Sequence, residues 1–266
     1  MEDIKAAGTQ KRIETNVDRI VKVGLPAITL IVIVVAWQIS AWIFQPPLWL
    51  LPSPIKVVET SIEWSEELPR HFLVTLYETI VGFIASIVLG IPIAVMIVYS
   101  KFLQRTIYPI LLALQSVPKV AIAPLLLMWV GHGELPKIIV VFLVCFFPIV
   151  VSATAGMQAV PAALLDLVRS LSAGQGQVFL KIRLPYSLPY IFVGLKVAIT
   201  LAVIGAVIGE FVGSNQGLGY LILISTQQFD TALAFAAIIL LTLMSIILFY
   251  VVEYLERLIV PWATDL

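Results

Sequence analysis

Charge is scarce in this chain. Asp, Glu, Lys and Arg make up 12% of its 266 residues, against roughly 25% in a soluble domain. Sixteen basic and sixteen acidic residues cancel to a formal net charge of zero, so the balance attracts no nucleic acid. Cysteine is nearly absent: Cys145 stands alone in an apolar run, and no internal disulfide can form. The two histidines, His71 and His132, lie far apart and give no metal-ligand spacing with that cysteine. Neither sits among the scattered Ser and Asp residues in a way that predicts a hydrolase triad. Met96, Met128 and Met157 suit helix packing better than copper binding. No GxxxxGK[ST] phosphate loop occurs, so ATP binding by that route is not expected. Apolar side chains fill the chain instead: 61% of residues are hydrophobic and the mean hydropathy is +1.06. Over this length, that predicts an all-α polytopic membrane protein.

Six runs are long enough to cross a bilayer core as helices, which need about 20 apolar residues. They are Val23–Phe44, His71–Tyr99, Ile107–Val130, Lys137–Met157, Tyr190–Val212 and Thr231–Leu255. The first 20 residues are polar and the run after them is long enough to span, so no cleavable signal is expected. Basic residues set the orientation. Lys5, Lys11, Arg12, Arg19, Lys22, Lys101, Arg105, Arg169, Lys181, Arg183 and Arg257 fall on one side. Only Lys56, Arg70 and Lys137 fall on the other, beside Glu63, Glu66 and Glu67. Both termini are therefore expected in the cytoplasm. Residues 1–22 form a cytoplasmic segment, 23–260 a single transmembrane domain with a polar loop at about 158–189, and 261–266 a tail. On the outer side, Ser53 and Pro54 predict an N-cap and first helical residue for a short interfacial helix over Ile55–Glu63.

The polar loop contains "LLDLVRSLSAGQGQVFLKIRLP", Leu164–Pro185. Pro161 suits a helix start, and Leu164, Leu165, Val168 and Leu171 recur at helical spacing. Asp166 and Arg169, three apart, can pair on the other face. Gly174 and Gly176 end that helix, and a second short one carries Val178, Phe179 and Ile182. Two readings fit this pattern: an amphipathic element lying on the membrane, or a docking surface for a soluble partner.

The loop resembles the "EAA" signature of ABC importer permeases: Glu-Ala-Ala, three residues, Gly, nine residues, Ile-x-Leu-Pro. Ile182, Leu184 and Pro185 keep the end of the pattern. Asp166 takes the Glu position, Leu167 and Val168 replace the alanines, and Ser172 replaces the glycine. "LPSPIKVV", "LQSVPKVAIAPLLLMWVGHG", "FFPIVVSATAGM" and "GEFVGSNQGLGYLI" extend the resemblance over most of residues 50–260. They are similar to the branch that imports nitrate, sulfonates, taurine, bicarbonate and some pyrimidine or flavin precursors.

The resemblance implies a type I importer-like fold, six spans and a cytoplasmic coupling helix pair. It implies a second permease copy as a homodimer, two cytoplasmic ATPase subunits, an external solute-binding protein and a bacterial-type inner membrane with its lipid. This chain would carry no cofactor, with ATP and Mg on the ATPase. Asp166, Arg169, Leu171, Ser172, Phe179, Lys181, Ile182, Leu184 and Pro185 would form the coupling surface, with Phe179 and Leu171 as apolar anchors and Asp166, Arg169, Lys181 and Arg183 as polar rim. If the family glycine is left-handed, serine there costs roughly 1 kcal/mol. The turn is then expected to shift to Gly174 or Gly176.

Ionisable residues at membrane depth point to function. Lys119 lies in "QSVPKVAIAP", where Pro109, Pro118 and Pro124 weaken span three. It lines a kinked pore helix with Gln115 and Ser116, or it snorkels to an interface from a packed kink. Glu210, near the outer end of span five, lines an outer gate or reaches the headgroups. Glu78 and Lys196 sit where snorkelling suffices. Gly205 and Gly209 give a G-x-x-x-G face for close helix packing within or between subunits. The expected cargo is a small anion such as a sulfonate, taurine, nitrate or bicarbonate. The alternative is a pyrimidine, thiamine-precursor or riboflavin-like solute. A passive channel would have no need of this docking loop, and a membrane-embedded enzyme would need clustered acids or histidines at one depth.

Overall fold

The computed structural model of the chain describes residues 24–263. Residues 1–22, Val23 of the expected first span, and 264–266 of the tail lie outside them. The described residues are helical, with no strand among them.

Helix α1, Gly24–Phe44, is the expected first span and stands at the edge of the bundle. It is held by Trp37, whose indole N–H donates to the Pro52 carbonyl at 3.1 Å and whose ring lies 5.5 Å from Phe235. Helix α2, Pro54–Glu63, starts as the sequence predicts. Ser53 Oγ accepts from the Lys56 N–H at 3.2 Å, and Pro54 sits where no helical N–H is needed.

Four long helices are the expected spans two, four, five and six: α3 (Leu68–Tyr99), α6 (Glu134–Gln158), α9 (Leu184–Gly213) and α11 (Thr231–Ile259). All run a few residues further than apolarity alone predicts. Pro69 and Pro185 occupy first-turn positions of α3 and α9, and Asp230 Oδ1 caps α11 by accepting from the Leu233 N–H.

The central packing is α6 against α9, with α3 packed mainly on α6 and also touching α9. Small residues make it possible. A Cβ on Gly205 would lie 3.1 Å from the Val141 Cα, and one on Gly209 would lie 3.0 Å from the Lys137 Cα. The G-x-x-x-G face therefore packs inside the subunit. Ala198, Ala202 and Ala206 continue the same seam, buried against Val141, Cys145 and neighbouring α6 residues. Cys145 is fully buried, and its S–H donates to the Ala198 carbonyl at 3.2 Å.

The third expected span is not one helix. It divides into α4 (Lys101–Leu114) and α5 (Lys119–Val130), bent by 95° across four residues. Pro118 has no N–H to give the α4 ladder and disfavours helix at Val117, so the break falls there. No residue of α4 is buried, and its polar residues share one face with Ser100 as its cap. The count becomes five continuous crossing helices, or six crossings if the bent pair is one.

Helix α10, Leu218–Gln227, was not legible as an element. Its ten residues reach about 15 Å, half the roughly 30 Å of a hydrocarbon core. Leu218 and Leu221 bury it against α9, α11 and the start of α3.

Candidate functional site

The polar loop hangs between the two central helices. It leaves α6 at Gln158 and enters α9 at Leu184. Helix α7, Ala162–Ser170, starts after Pro161 and carries the expected Asp166–Arg169 pair at 3.3 Å. It ends in a Schellman turn. The Ala173 N–H donates to the Val168 carbonyl at 3.3 Å and the Ser172 N–H to the Arg169 carbonyl at 2.9 Å. That turn requires a left-handed residue at position 172, and Ser172 has φ 58°. The expected shift does not occur. Gly174 has φ −66° and starts α8 (Gln175–Val178), its N–H donating to Gln177 Oε1. The hydrogen bonds of the Schellman turn fix the site, and glycines two and four residues later cannot replace it.

A widened, π-type turn over Phe179–Arg183 then leads into α9. It points the expected docking residues in different directions. Leu171 and Lys181 are exposed, as a docking surface needs. Phe179 is not an outward anchor: it packs edge-on to Tyr99, with ring centroids 6.1 Å apart, and against the main core. Arg183 also turns inward, over the Tyr99 ring at 5.4 Å, with one guanidinium N–H donating to the Met157 carbonyl at 3.4 Å. Ile182, Leu184 and Pro185 are half-buried and join the loop to α9. The apolar outer face is made by Leu171 (73% exposed), Leu180 (63%) and Leu167 (58%). Leu180 was missed, because the π turn rotates it outward in place of Phe179.

Lys119 begins α5 at the break. Its ammonium donates to the Gln115 carbonyl at 2.7 Å and stands 5.2 Å from the Phe147 ring centroid. Capping the last carbonyls of α4 with a cation is favourable. Gln115 is half-buried and Ser116 exposed.

Glu210 neither reaches headgroups nor faces an open surface: it is fully buried. Its Oε1 accepts from the Thr75 hydroxyl at 2.6 Å and its Oε2 from the Gly219 N–H at 2.5 Å. Thr75 Oγ1 accepts from the Leu218 N–H at 2.8 Å, and His71 Nδ1 from the Gly217 N–H at 2.9 Å. Three successive N–H groups at the start of α10 are thus taken by side chains of α3 and α9, which satisfies donors that a helix end leaves orphaned. Gly217 has φ +109°, and a Cβ there would overlap the Glu210 carboxylate. This explains the "GEFVGSNQGLGYLI" stretch.

Nor does snorkelling describe Glu78 and Lys196. Glu78, fully buried on α3, forms an ion pair with Lys137 of α6, and the Lys137 ammonium also donates to Ser214 Oγ at 3.1 Å. Lys196 pairs with Glu256 of α11 at 2.8 Å. Neither pair has partners close in sequence.

A bundle of apolar crossing helices, with a polar helical loop slung between the two central ones, defines a polytopic transport-type membrane subunit. Residues 86–262 match the family described as "Binding-protein-dependent transport system inner membrane component". The chain belongs to that family and is a permease of the ABC importer type. It is 37% identical over 238 residues to the formylaminopyrimidine transport permease protein ThiX of Halalkalibacterium halodurans, covering 89% of this chain and 95% of that one. It is 32% identical over 233 residues to the putative aliphatic sulfonates transport permease protein SsuC of Bacillus subtilis, covering 87% and 84%. A structure of the MetNI methionine ABC transporter in an inward-facing conformation shares the fold. Its TM-score is 0.63 at 21% identity, over 71% of this chain and 94% of that one.

Proposed function

We propose that two copies of the chain form a translocation path worked by two cytoplasmic ATPase subunits and supplied by an external solute-binding protein. The observation that carries this is the loop itself. Leu167, Leu171 and Leu180 offer an exposed apolar face, while both ends of the loop are continuous with the central helices α6 and α9. The loop sits on the side with more Lys and Arg, which assigns it and both termini to the cytoplasm. Asp166, Arg169 and Lys181 supply the polar rim of the docking face, and Ser172 sets its turn. ATP and Mg belong to the ATPase, and this chain needs no cofactor. Gln115, Ser116 and Lys119 mark the route at the broken span. Glu210 serves it indirectly, by holding α10.

The solute is small and organic or inorganic, with an anion such as a sulfonate favoured by Lys119. That lysine has no carboxylate partner among the described residues, whereas Lys137 and Lys196 do. The 37% identity to a formylaminopyrimidine permease supports a second reading, a pyrimidine-type solute. Co-purification tests the assignment. The chain is expected to bring down an ATPase, and Leu171→Asp to abolish that association while the permease stays folded. A chain that never associates with an ATPase sinks the proposal.

A further inference from the structure

The break in span three opens onto a cavity of about 350 Å³, at the small end of the roughly 300–1,000 Å³ range of organic ligand sites. Gln115 and Lys119 line it from the broken span, Val144, Pro148, Val151 and Ser152 from α6, and Leu201 from α9. Residues 148–152 lie about 21–27 Å along α6 from Glu134 at 1.5 Å per residue, so the cavity is within the bilayer and nearer the loop end. Its walls are mostly apolar, and its polar groups are few and only partly used.

A lysine ammonium carries three donors, and only one is used here, on the Gln115 carbonyl. The Gln115 amide and the Ser152 hydroxyl have no hydrogen-bond partner among the described residues. The buried Lys137 and the half-buried Lys196 hold carboxylates, whereas the half-buried Lys119 holds none among the described residues. A cation at this depth is costly unless something balances it, and the Phe147 face balances it only in part. The cavity therefore sets the Lys119 and Gln115 donors of the broken span opposite an α6 and α9 wall that is apolar but for the Ser152 hydroxyl.

We infer that this cavity is a solute station. It takes a compact organic solute that turns a hydrogen-bond-accepting edge to Lys119, Gln115 and Ser152 and rests its carbon body on Val144, Val151 and Leu201. The accepting edge is an oxyanion or the ring nitrogens and carbonyl of a heterocycle. The inference rests on the permease reading and adds Ser152 and the apolar wall to it. A bare inorganic ion would leave that wall unused.

The chain offers its own assay. Cys145, its one cysteine, is buried and engaged, so Ser152→Cys creates a single reactive thiol. In the permease–ATPase complex in nanodiscs, a sulfonate-bearing methanethiosulfonate is expected to label Cys at 152 about tenfold faster than a trimethylammonium-bearing one. Lys119→Gln should erase that ratio and Lys119→Arg keep it, since only the charge beside the cavity differs. Millimolar short-chain alkylsulfonate protecting the thiol identifies an oxyanion edge; formylaminopyrimidine protecting it identifies a heterocyclic edge. Protection by neither, or a ratio indifferent to Lys119, overturns the station. Because the assay uses a complex that already holds its ATPase, either of those results leaves the permease assignment standing.

Discussion

Ser172 performs a glycine's task with a Cβ attached. Its φ of 58° is set by two Schellman bonds, from the Ser172 and Ala173 N–H groups back into α7. A left-handed non-glycine residue costs on the order of 1–2 kcal/mol, and glycine returns part of that gain as lost chain entropy, about 0.5–1 kcal/mol. Ser172→Gly should therefore stabilise the turn by up to about 1 kcal/mol. Ser172→Val, β-branched and poorly suited to positive φ, should weaken it by at least as much. Hydrogen exchange at the Ala173 amide reads the difference: slower in the glycine variant, faster in the valine variant. Equal protection in all three would mean that the turn is held by something other than its own backbone.

At the scale of elements, α10 is a short apolar helix whose attachment is polar. Glu210 accepts the Gly219 N–H directly, and it accepts from the Thr75 hydroxyl, whose oxygen takes the Leu218 N–H. Removing a buried acceptor costs about 1–3 kcal/mol. Glu210→Ala should accordingly speed exchange of the Leu218 and Gly219 amides by roughly five- to a hundred-fold, and Glu210→Gln by less. Unchanged exchange would show that Leu218 and Leu221 hold α10 by burial alone. This element also shows where sequence reading stops. Long apolar runs announce α1, α3, α6, α9 and α11, because a bilayer core sets a minimum length that few other structures share. Ten apolar residues after Gly217 fall below that length and announce nothing. The broken span was half legible: Pro109, Pro118 and Pro124 mark a weakened helix, but the apolar stretches on both sides of Gln115–Pro118 together reach spanning length, so a kink is read where the chain bends by 95°. Within the loop, the Ile182-x-Leu184-Pro185 ending was legible. The direction of Phe179 was not, because a π turn shifts facing by a residue without a sequence mark. Glu78 and Lys137 were each visible as charges, but their pairing joins residues far apart in the chain and exists only once α3 lies on α6.

At the scale of the whole molecule, the proposed function divides the loop into a face to grip an ATPase and a root to transmit its motion. Leu171 and Leu180 point outward, while Phe179 and Arg183 lock the loop to Tyr99 at the end of α3 and to the Met157 carbonyl near the end of α6. Three core helices are therefore joined at one place. Since α6 and α9 are seated too closely to slide, with Gly205 and Gly209 against Val141 and Lys137, a push on the loop moves them as one body. Gripping and transmitting should then separate by mutation. Leu171→Asp removes the grip, and the ATPase is lost on purification. Phe179→Ala keeps the exposed leucines but empties a half-buried site, at a cost of about 1–3 kcal/mol, below that of a fully buried phenylalanine. The ATPase should still co-purify with this variant, while solute uptake per ATP hydrolysed falls several-fold. Paired measurements of ATPase recovery and of uptake per ATP decide the matter. If Phe179→Ala loses the ATPase as completely as Leu171→Asp does, the aromatic belongs to the gripping face and the division is wrong.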